Sequence, residues 1–252
     1  MQTPFDKIKK MPAYRVLADA IAERILDGRL QPGEPLPTEA RLCEMFGVNR
    51  STVREGIRAL EEANLLRRDH SRRLIVSHPT EREAARHFER ALILQEISFA
   101  ELWEAMLTFE PLMAALAARN GASPALGPLR ENVAATARAL DEGGNIVDLA
   151  IGFLDLVAQM SGNRVLILAR SPVSRLFFPF FHAVITRSPF ATTRLLGAHR
   201  EILARIARRD AAGAEDWMRK HVSDFRRGAE RAGIDIHAAV SMHDPERLIR
   251  RD

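Results

Sequence analysis

The stretch from Leu36 to Val76 constrains the fold more than any other part of the chain. It contains a short apolar helix pattern, a turn at Gly47, and a second helix pattern from about Asn49 to Asn64. Two short alternating segments then flank Asp69-His70-Ser71. This order predicts a helix, a turn, a second helix and a β-hairpin. The sequence therefore predicts a winged helix-turn-helix domain at the N-terminal end.

The second helix of this stretch has one basic face. Arg50, Arg54 and Arg58 recur every four residues, so they line one side of a helix. Val53 and Ile57 fall on the opposite side, where they would pack against the first helix. A basic helix held against a partner helix suits insertion into the major groove of DNA. Double-stranded DNA is therefore the expected partner.

The distribution of charge supports the same partner. The formal net charge of the chain is only +4. Residues 1–78 contain 14 Lys and Arg against 11 Asp and Glu, whereas the remaining residues contain 23 and 22. The basic surplus thus lies with the candidate reading helix, as contact with phosphates would require.

The remainder of the chain is predicted to be helical. Apolar periodicity indicates seven further helices between Thr80 and Ala232, separated by glycine-containing turns. The predicted fold class is mostly α, with an all-α helical bundle after the winged domain. The expected boundaries are a basic arm at residues 1–12 within a winged domain of residues 1–78, a linker at 79–83, a helical domain at 84–235, and a loosely held tail at 236–252.

Several classes of protein are disfavoured. The single cysteine, Cys43, excludes an internal disulfide and indicates a reducing compartment. Apolar runs stay below the roughly 18 residues of a membrane span, and no secretory signal is recognisable, so we expect a cytoplasmic protein without a membrane partner. The sequence offers no nucleophile–base pair at readable spacing, no glycine-rich phosphate loop and no HExxH motif, so we expect no enzyme.

Two sets of motifs carry a family resemblance. The segments PGEPLPTEARL and FGVNRSTVREGIRALEEANLL resemble the GntR superfamily of bacterial transcription factors. The later part of the chain is similar to the all-helical FCD effector domain of the FadR-like branch. It matches through ELWEAMLTFEPLMAALAARN, FLDLVAQMSGN and HREILARIARRDAAGAEDWMRKH, in that order.

The resemblance implies which residues contact DNA. Arg50 and Arg54 match the DNA-contacting arginines of the family's recognition helix. The planar fork of an arginine can hold guanine O6 and N7 together. Ser51 and Thr52, at the start of the same helix, are expected to bind phosphate through hydroxyl and backbone N–H groups.

The chain departs from the family at two other DNA-binding positions. Relatives often place a contacting arginine where this chain has Ala40, so Arg41 either substitutes for it or points elsewhere. The usual Gly-x-Gly at the wing tip is replaced by His70-Ser71-Arg72-Arg73. Arg72 and Arg73 are therefore expected to strengthen phosphate or minor-groove contact.

The effector domain departs at the family's metal site. Many FCD domains hold a divalent metal through an Asp, a His four residues later and two further His. Here His199 and His221 match the later histidines, but the first two positions are Ala150 and Leu154. Two interpretations stay open: a residual zinc, nickel or manganese site at His199 and His221, or a pair of hydrogen-bonding residues in a metal-free pocket. No cofactor is expected to be required.

The candidate pocket is expected to be apolar. The family usually presents a ligand-gripping arginine near the position of Met106, and this cation is missing. Met106, Phe153, His199 and His221 are the candidate pocket residues. The phenylalanines between Phe177 and Phe181 indicate either core packing or an aromatic ligand site. We therefore expect an apolar or amphipathic effector, such as an acyl chain or its coenzyme A thioester.

The leading interpretation is a ligand-responsive transcriptional regulator, more often a repressor in this family. Two winged domains of a homodimer would read a palindromic operator, and an effector in the helical domain would shift DNA affinity. The alternative interpretation is an architectural DNA-binding protein without a small-molecule effector.

Overall fold

The computed structural model describes residues 11–78, 80–121, 124–187 and 189–240, without the side chains of 182–183, 185–187 and 189–191. Contacts divide the chain into two compact units, with the division between Glu83 and Ala84. This division falls at the end of the segment expected to be a linker. Of the expected basic arm at residues 1–12, residues 1–10 lie outside the described residues.

The first unit contains three helices followed by a two-stranded antiparallel hairpin. Strand β1 pairs with β2 so that Leu66 lies opposite Val76 and Arg68 opposite Leu74. This hairpin is the predicted wing. The elements are α1 (Ala13–Leu26), α2 (Glu39–Phe46), α3 (Arg50–Glu62), β1 (Leu66–Arg68) and β2 (Leu74–Val76).

The core of the first unit holds α3 by its apolar side. Val53 and Ile57 are buried beside Leu17 and Ile21 of α1. Helices α1 and α3 approach closely because α3 has a glycine at the contact. A Cβ atom at Gly56 would lie 2.6 Å from Leu17 Cδ2. The position of α3 therefore depends on the absence of a side chain at Gly56 as well as on the burial of its apolar residues.

The second unit is all-α over the residues that the structure describes. Its two longest described helices contain internal prolines and continue through them. Pro111 lies in one of these helices, and Pro172 and Pro179 lie in the other. The helices are α4 (Glu81–Leu94), α5 (Phe99–Asn120), α6 (Leu126–Asp141), α7 (Val147–Met160), α8 (Arg164–Arg187), α9 (Pro189–Ala207) and α10 (Ala211–Arg231).

Helix α5 is the central element of the second unit. It contacts α7, α8, α9 and α10. Ser98 and Glu101 form a reciprocal capping box at its start, which satisfies backbone donors of the first turn. Trp103 Nε1 donates a hydrogen bond to the carbonyl of Val222 at 2.9 Å, and this bond joins α5 to α10.

A buried ion pair joins α5 to α8. Arg170 and Glu110 are 4% and 0% exposed, and the Nε of Arg170 donates to Glu110. Nη1 of Arg170 also donates to Asp155 of α7 at 2.7 Å, and this carboxylate is partly exposed. Three helices of the bundle are therefore connected through one guanidinium.

The structure corrects the prediction of a loose tail from residue 236. Ile236 and Val240 are buried, and the amide of Val240 donates to the carbonyl of Ile97 at 2.8 Å. The amide of Ala100 donates to the carbonyl of Ile236 at the same distance. Residues 236–240 thus pack against the start of α5, and the remainder of the expected tail lies outside the described residues.

The predicted fold class is confirmed: the chain is mostly α, with a winged helix-turn-helix unit followed by a helical bundle. Over the described part of the chain, no helix is both long and apolar enough to cross a membrane.

Candidate DNA-reading surface and effector pocket

Helix α3 begins at a side-chain cap that orders its first turn. Asn49 Oδ1 accepts hydrogen bonds from the backbone amide of Thr52 at 2.9 Å and from the hydroxyl of Ser51 at 2.8 Å. The cap therefore occupies the Thr52 amide, which we expected to be available to a phosphate. The Thr52 hydroxyl and the backbone of Ser51 are the remaining candidates at this helix end.

The arginines of α3 lie on its exposed side, as the periodicity predicts. Arg50, Arg54 and Arg58 are exposed, whereas Val53 and Ile57 are buried. The structure thus separates a basic face from an apolar face along a single helix.

A carboxylate of α2 pairs with the middle arginine of this face. Nε of Arg54 donates to Oε2 of Glu39 at 2.9 Å, and the two side chains remain 65% and 33% exposed. Glu39 also raises the pKa of Arg54, through this hydrogen bond and through its charge. The sequence does not predict this pair, because the two residues lie on different helices and are 15 residues apart.

Arg41 is exposed on α2, where its Nη1 donates to Oε2 of Glu44 at 2.7 Å. The pair lies on a single helix and does not join α2 to α3. The structure therefore places Arg41 on the surface of the helix-turn-helix, where its ion pair is with Glu44 of the same helix.

The wing tip is ordered by Asp69 in place of the glycines that relatives carry. Its carboxylate accepts from the amide of Arg73 at 2.8 Å and from the hydroxyl of Ser71. The hydrogen bond from the Ser71 hydroxyl is the main cause that lowers the pKa of Asp69; burial acts in the opposite direction, and the backbone amides of Arg73 and Ser71 lower the pKa further. Arg72 has a φ of 62°, a left-handed conformation that favours glycine. The turn therefore keeps a glycine-like conformation while presenting arginines.

A groove lies between the wing and the helix-turn-helix. It has a volume of about 280 Å³, and it brings Glu39 of α2 and Ile57 of α3 together with Arg72 and Arg73 of the wing. Arg68, which the sequence reasoning missed, also lines this groove. The only signal for Arg68 was its place in a basic hairpin.

The two candidate metal residues of the second unit lie together. The rings of His199 and His221 meet edge to face with centroids 4.9 Å apart, and His199 stacks on Phe153 at 3.7 Å. His199 is fully buried, and neither of its nitrogens has a hydrogen-bond partner among the described residues. Met106 is buried in the same core cluster as Phe153.

Both histidines are neutral at ordinary pH. Burial lowers the pKa of His199 well below its usual value, and His221 lowers it further. Burial lowers the pKa of His221 to about 4, while Asp224 acts in the opposite direction. Neutral imidazole can accept a metal or a hydrogen bond, so protonation does not decide between the two interpretations.

The donor set does not fit a protein-held metal site. Structural and catalytic zinc sites use three or four protein ligands. Ala150 and Leu154, at the other two family positions, are buried and have no donor atom. Over the described residues, no group of three or more His, Cys, Asp or Glu could hold a metal ion.

The phenylalanines of α8 belong to the core. Phe177 and Phe180 are buried around Phe99 of α5, with ring centroids 5.2 and 4.7 Å from it. Phe181 stacks on Phe225 of α10 at 5.1 Å. These contacts favour the core-packing interpretation over an aromatic ligand site.

Comparisons with known proteins match both units. Residues 13–76 match the model of bacterial regulatory proteins of the gntR family, and residues 101–224 match the FCD domain. A solved structure, Streptococcus agalactiae GntR, is 26% identical with a TM-score of 0.61, covering 85% of this chain and 99% of that chain.

Curated relatives match a shorter part of the chain. The mannosyl-D-glycerate transport/metabolism system repressor MngR of Escherichia coli (strain K12) is 51% identical over 55 residues, 22% of this chain and 23% of its own length. The repressor NagR of Bacillus subtilis (strain 168) is 35% identical over 79 residues, 31% of this chain and 32% of its own length. The chain thus spans about a quarter to a third of these relatives.

The winged unit, the helical unit and a neighbour that is similar over most of both chains lead to one assignment. The chain belongs to the GntR family of bacterial regulatory proteins and carries an FCD domain.

Proposed function

We propose that the protein is a ligand-responsive transcriptional regulator that binds palindromic operator DNA as a homodimer. The exposed arginine face of α3 is the observation that carries the DNA-binding part of this proposal. The named relatives MngR and NagR are repressors, which supports repression as the mode of action. Because its target is DNA, the protein is expected to act in the cytoplasm and as a regulator instead of an enzyme.

Within this proposal, the arginines of α3 read bases and those of the wing bind the backbone. Arg50 and Arg54 lie in the first half of α3, the part of a recognition helix that reaches base edges. Arg72 and Arg73 contact phosphate or the minor groove from the wing, and Arg41, Ser51 and Thr52 supply further backbone contacts. The shared groove between α2, α3 and the wing supports this arrangement.

The proposed effector is apolar or amphipathic. Phe153 stacks on His199, and Phe153, Met106 and Leu154 are buried in the same apolar cluster. The two unpartnered nitrogens of His199 are suited to a neutral hydrogen-bonding group of a ligand. A fatty acyl chain or its coenzyme A thioester has such a combination of chemistry.

The alternative, an architectural protein without an effector, is supported by one observation. His199 and Phe153 are stacked in a closed core, and the described residues carry apolar side chains at two of the four family ligand positions. A helical unit used only for dimerisation would tolerate such a filled site.

The DNA-binding proposal is tested by selecting duplexes from a random-sequence library with the purified protein. We expect the selected duplexes to share a palindromic sequence and to bind two copies of the chain. Arg54→Ala should weaken binding to the selected duplex by about fivefold to 150-fold, corresponding to 1–3 kcal/mol for a base-reading arginine. Arg24→Ala, on the exposed part of α1, is the matched control. Unchanged affinity and sequence preference in Arg54→Ala would reject the assigned role.

The effector proposal is tested by titrating the protein with long-chain fatty acids, acyl coenzyme A and a short dicarboxylate. We expect thermal stabilisation by the acyl compounds. Tight binding of the dicarboxylate alone would overturn the expected ligand class, and stabilisation by none of them would favour the architectural alternative.

A further inference from the structure

An acidic side chain lies on the face that is proposed to meet DNA. Glu39 begins α2, lines the groove between α2, α3 and the wing, and accepts a hydrogen bond from Arg54. A carboxylate beside a phosphate backbone is electrostatically unfavourable for binding. A contribution of Glu39 to DNA recognition is therefore needed to offset this unfavourable charge.

The geometry of the pair leaves the reading end of Arg54 available. Oε2 of Glu39 accepts a hydrogen bond from Nε of Arg54 at 2.9 Å. Neither terminal nitrogen, Nη1 or Nη2, makes a hydrogen bond to another described residue. A guanidinium held through one N–H still presents donors to O6 and N7 of a guanine.

We propose that Glu39 is a positioning residue that holds the guanidinium of Arg54 in its base-reading orientation before DNA binds. This proposal rests on the proposed DNA-reading role of α3. An exposed arginine loses side-chain conformational entropy when it becomes ordered. Ordering Arg54 in the free protein removes part of that loss from the binding step.

The two effects of Glu39 act on different kinds of DNA. Its negative charge weakens binding to every duplex, because phosphates are present in all of them. Its hold on Arg54 helps only where a base can accept the guanidinium. Glu39 therefore raises the ratio of specific to non-specific affinity, and it does so without adding to affinity in general.

A purely structural role makes a different prediction. Glu39 lies in the first turn of α2, where a negative charge stabilises the helix dipole. If that were its whole role, its removal would lower the stability of the winged unit. Specific and non-specific DNA affinities would then change together.

The test compares Glu39→Gln, Arg54→Ala and the double variant, each in the full chain. Dissociation constants are measured for a duplex selected from a random library and for a scrambled duplex, at fixed salt. We expect Glu39→Gln to lower the ratio of the two affinities by about twofold to fivefold, the range for an exposed ion pair. Non-specific affinity should stay unchanged or rise.

The control and the double variant isolate the positioning effect. Glu55→Gln removes one negative charge from α3, and Glu55 has no ion pair with Arg54. We expect it to leave the affinity ratio unchanged. In the Arg54→Ala background, Glu39→Gln should no longer change the ratio. Glu39→Asp keeps the charge on α2 but shortens its reach, so it should lower the ratio as Glu39→Gln does.

Each failure has its own signature. If Arg54→Ala lowers the ratio but Glu39→Gln and Glu39→Asp do not, the positioning role is wrong and the DNA-reading proposal stands. If Glu39→Gln lowers the ratio equally with and without Arg54, Glu39 acts independently and the positioning role is also wrong. If Arg54→Ala itself leaves the ratio unchanged, the reading role of Arg54 fails, and the positioning role fails with it.

Discussion

At the scale of single residues, the wing tip shows how a turn can keep the conformation of a missing glycine. Asp69 accepts hydrogen bonds from the Arg73 amide and the Ser71 hydroxyl, and Arg72 between them has a φ of 62°. A non-glycine residue in this left-handed region is disfavoured by about 1–2 kcal/mol. The local hydrogen bonds offset this strain, and an arginine is retained where it can meet phosphate.

Arg72→Gly should therefore separate stability from DNA binding. We expect the winged unit to gain about 0.5–1 kcal/mol, because relief of strain exceeds the added entropy of glycine in the unfolded chain. DNA affinity should fall, and the slope of log affinity against log salt should decrease by about one. Calorimetric unfolding and salt titrations measure the two effects. Loss of stability in Arg72→Gly would show that the arginine side chain itself supports the turn.

His221 gives a prediction for pH at the same scale. Its pKa is about 4 in the folded protein, mainly because of burial, against about 6.5 when unfolded. Below pH 6.5 the unfolded chain binds a proton that the folded one does not, so stability falls as pH decreases toward 4. Between pH 7 and pH 5, this histidine should remove about 2 kcal/mol of stability.

The comparison between wild type and His221→Gln isolates this contribution. The variant removes the titrating imidazole of His221 and leaves His199 and Glu110 in place. Urea unfolding at pH 7 and pH 5 should show a smaller loss of stability in the variant. Equal losses in the two proteins would mean that His221 is protonated as readily in the folded state as in the unfolded chain.

At the scale of elements, periodicity and capping residues predicted most helices closely. Helices α2 (Glu39–Phe46), α5 (Phe99–Asn120) and α6 (Leu126–Asp141) lie where the sequence predicts helices, the first before the turn at Gly47 and the other two between Thr80 and Ala232. Glycine follows the first two of these helices, so local sequence fixes where they end.

Contacts between elements were harder to predict, because their partners are distant in sequence. Arg54 and Glu39 are 15 residues apart, and Arg170 and Glu110 are 60 residues apart. The packing of residues 236–240 was missed for a related reason: its backbone bonds go to the start of α5 and leave no periodic pattern. By contrast, His199 and His221 were expected to meet, because the family resemblance supplied the contact.

The ion pair between α5 and α8 predicts a strong dependence of the bundle on one guanidinium. Burial favours loss of charge from Glu110 by raising its pKa, and Arg170 counteracts this effect. Arg170→Met would leave the Glu110 carboxyl buried without a partner, so we expect a loss of about 3–5 kcal/mol in unfolding free energy.

The double variant and a nearby single variant complete this test. Replacing both partners, as Glu110→Leu with Arg170→Met, removes the uncompensated charge and should recover much of the loss. Asp155→Asn alters only the partly exposed partner of Arg170 and should cost less than about 1 kcal/mol. If Arg170→Met and Asp155→Asn were equally mild, the buried pair would not be a structural connection between the helices.

Helices α7, α9 and α10 bring together a half-complete set of metal ligands, which can be completed. We expect no zinc-induced stabilisation of wild type, because two imidazoles alone are too few protein ligands. Ala150→Asp combined with Leu154→His restores the family's donor set. This variant should be destabilised without metal by its buried carboxyl group and should gain about 3 kcal/mol at zinc concentrations a hundredfold above its dissociation constant. Adding His199→Ala should abolish the gain. Equal stabilisation of wild type by zinc would show that two histidines suffice.

At the scale of the whole molecule, the proposed regulator must couple its two units energetically. An effector that changes operator affinity by some factor must itself be bound more tightly or more weakly by the same factor when operator is present. Coupling in known allosteric proteins is typically about fivefold to 150-fold. An architectural protein would show no such coupling, so this quantity separates the two proposed functions.

We therefore expect the affinity for a long-chain acyl ligand to change at least about fivefold when the selected operator duplex is added. Calorimetric titrations with ligand, with and without saturating duplex, measure this factor, and DNA titrations with and without ligand measure its reciprocal. A scrambled duplex is the control for general charge effects, because it offers the same phosphates without the read bases. Arg54→Ala should keep its affinity for the ligand alone, since Arg54 lies in the winged unit, but should require more duplex to reach the same coupling. If the operator leaves ligand affinity unchanged while both still bind, the helical unit does not control the reading surface, and the architectural interpretation is favoured.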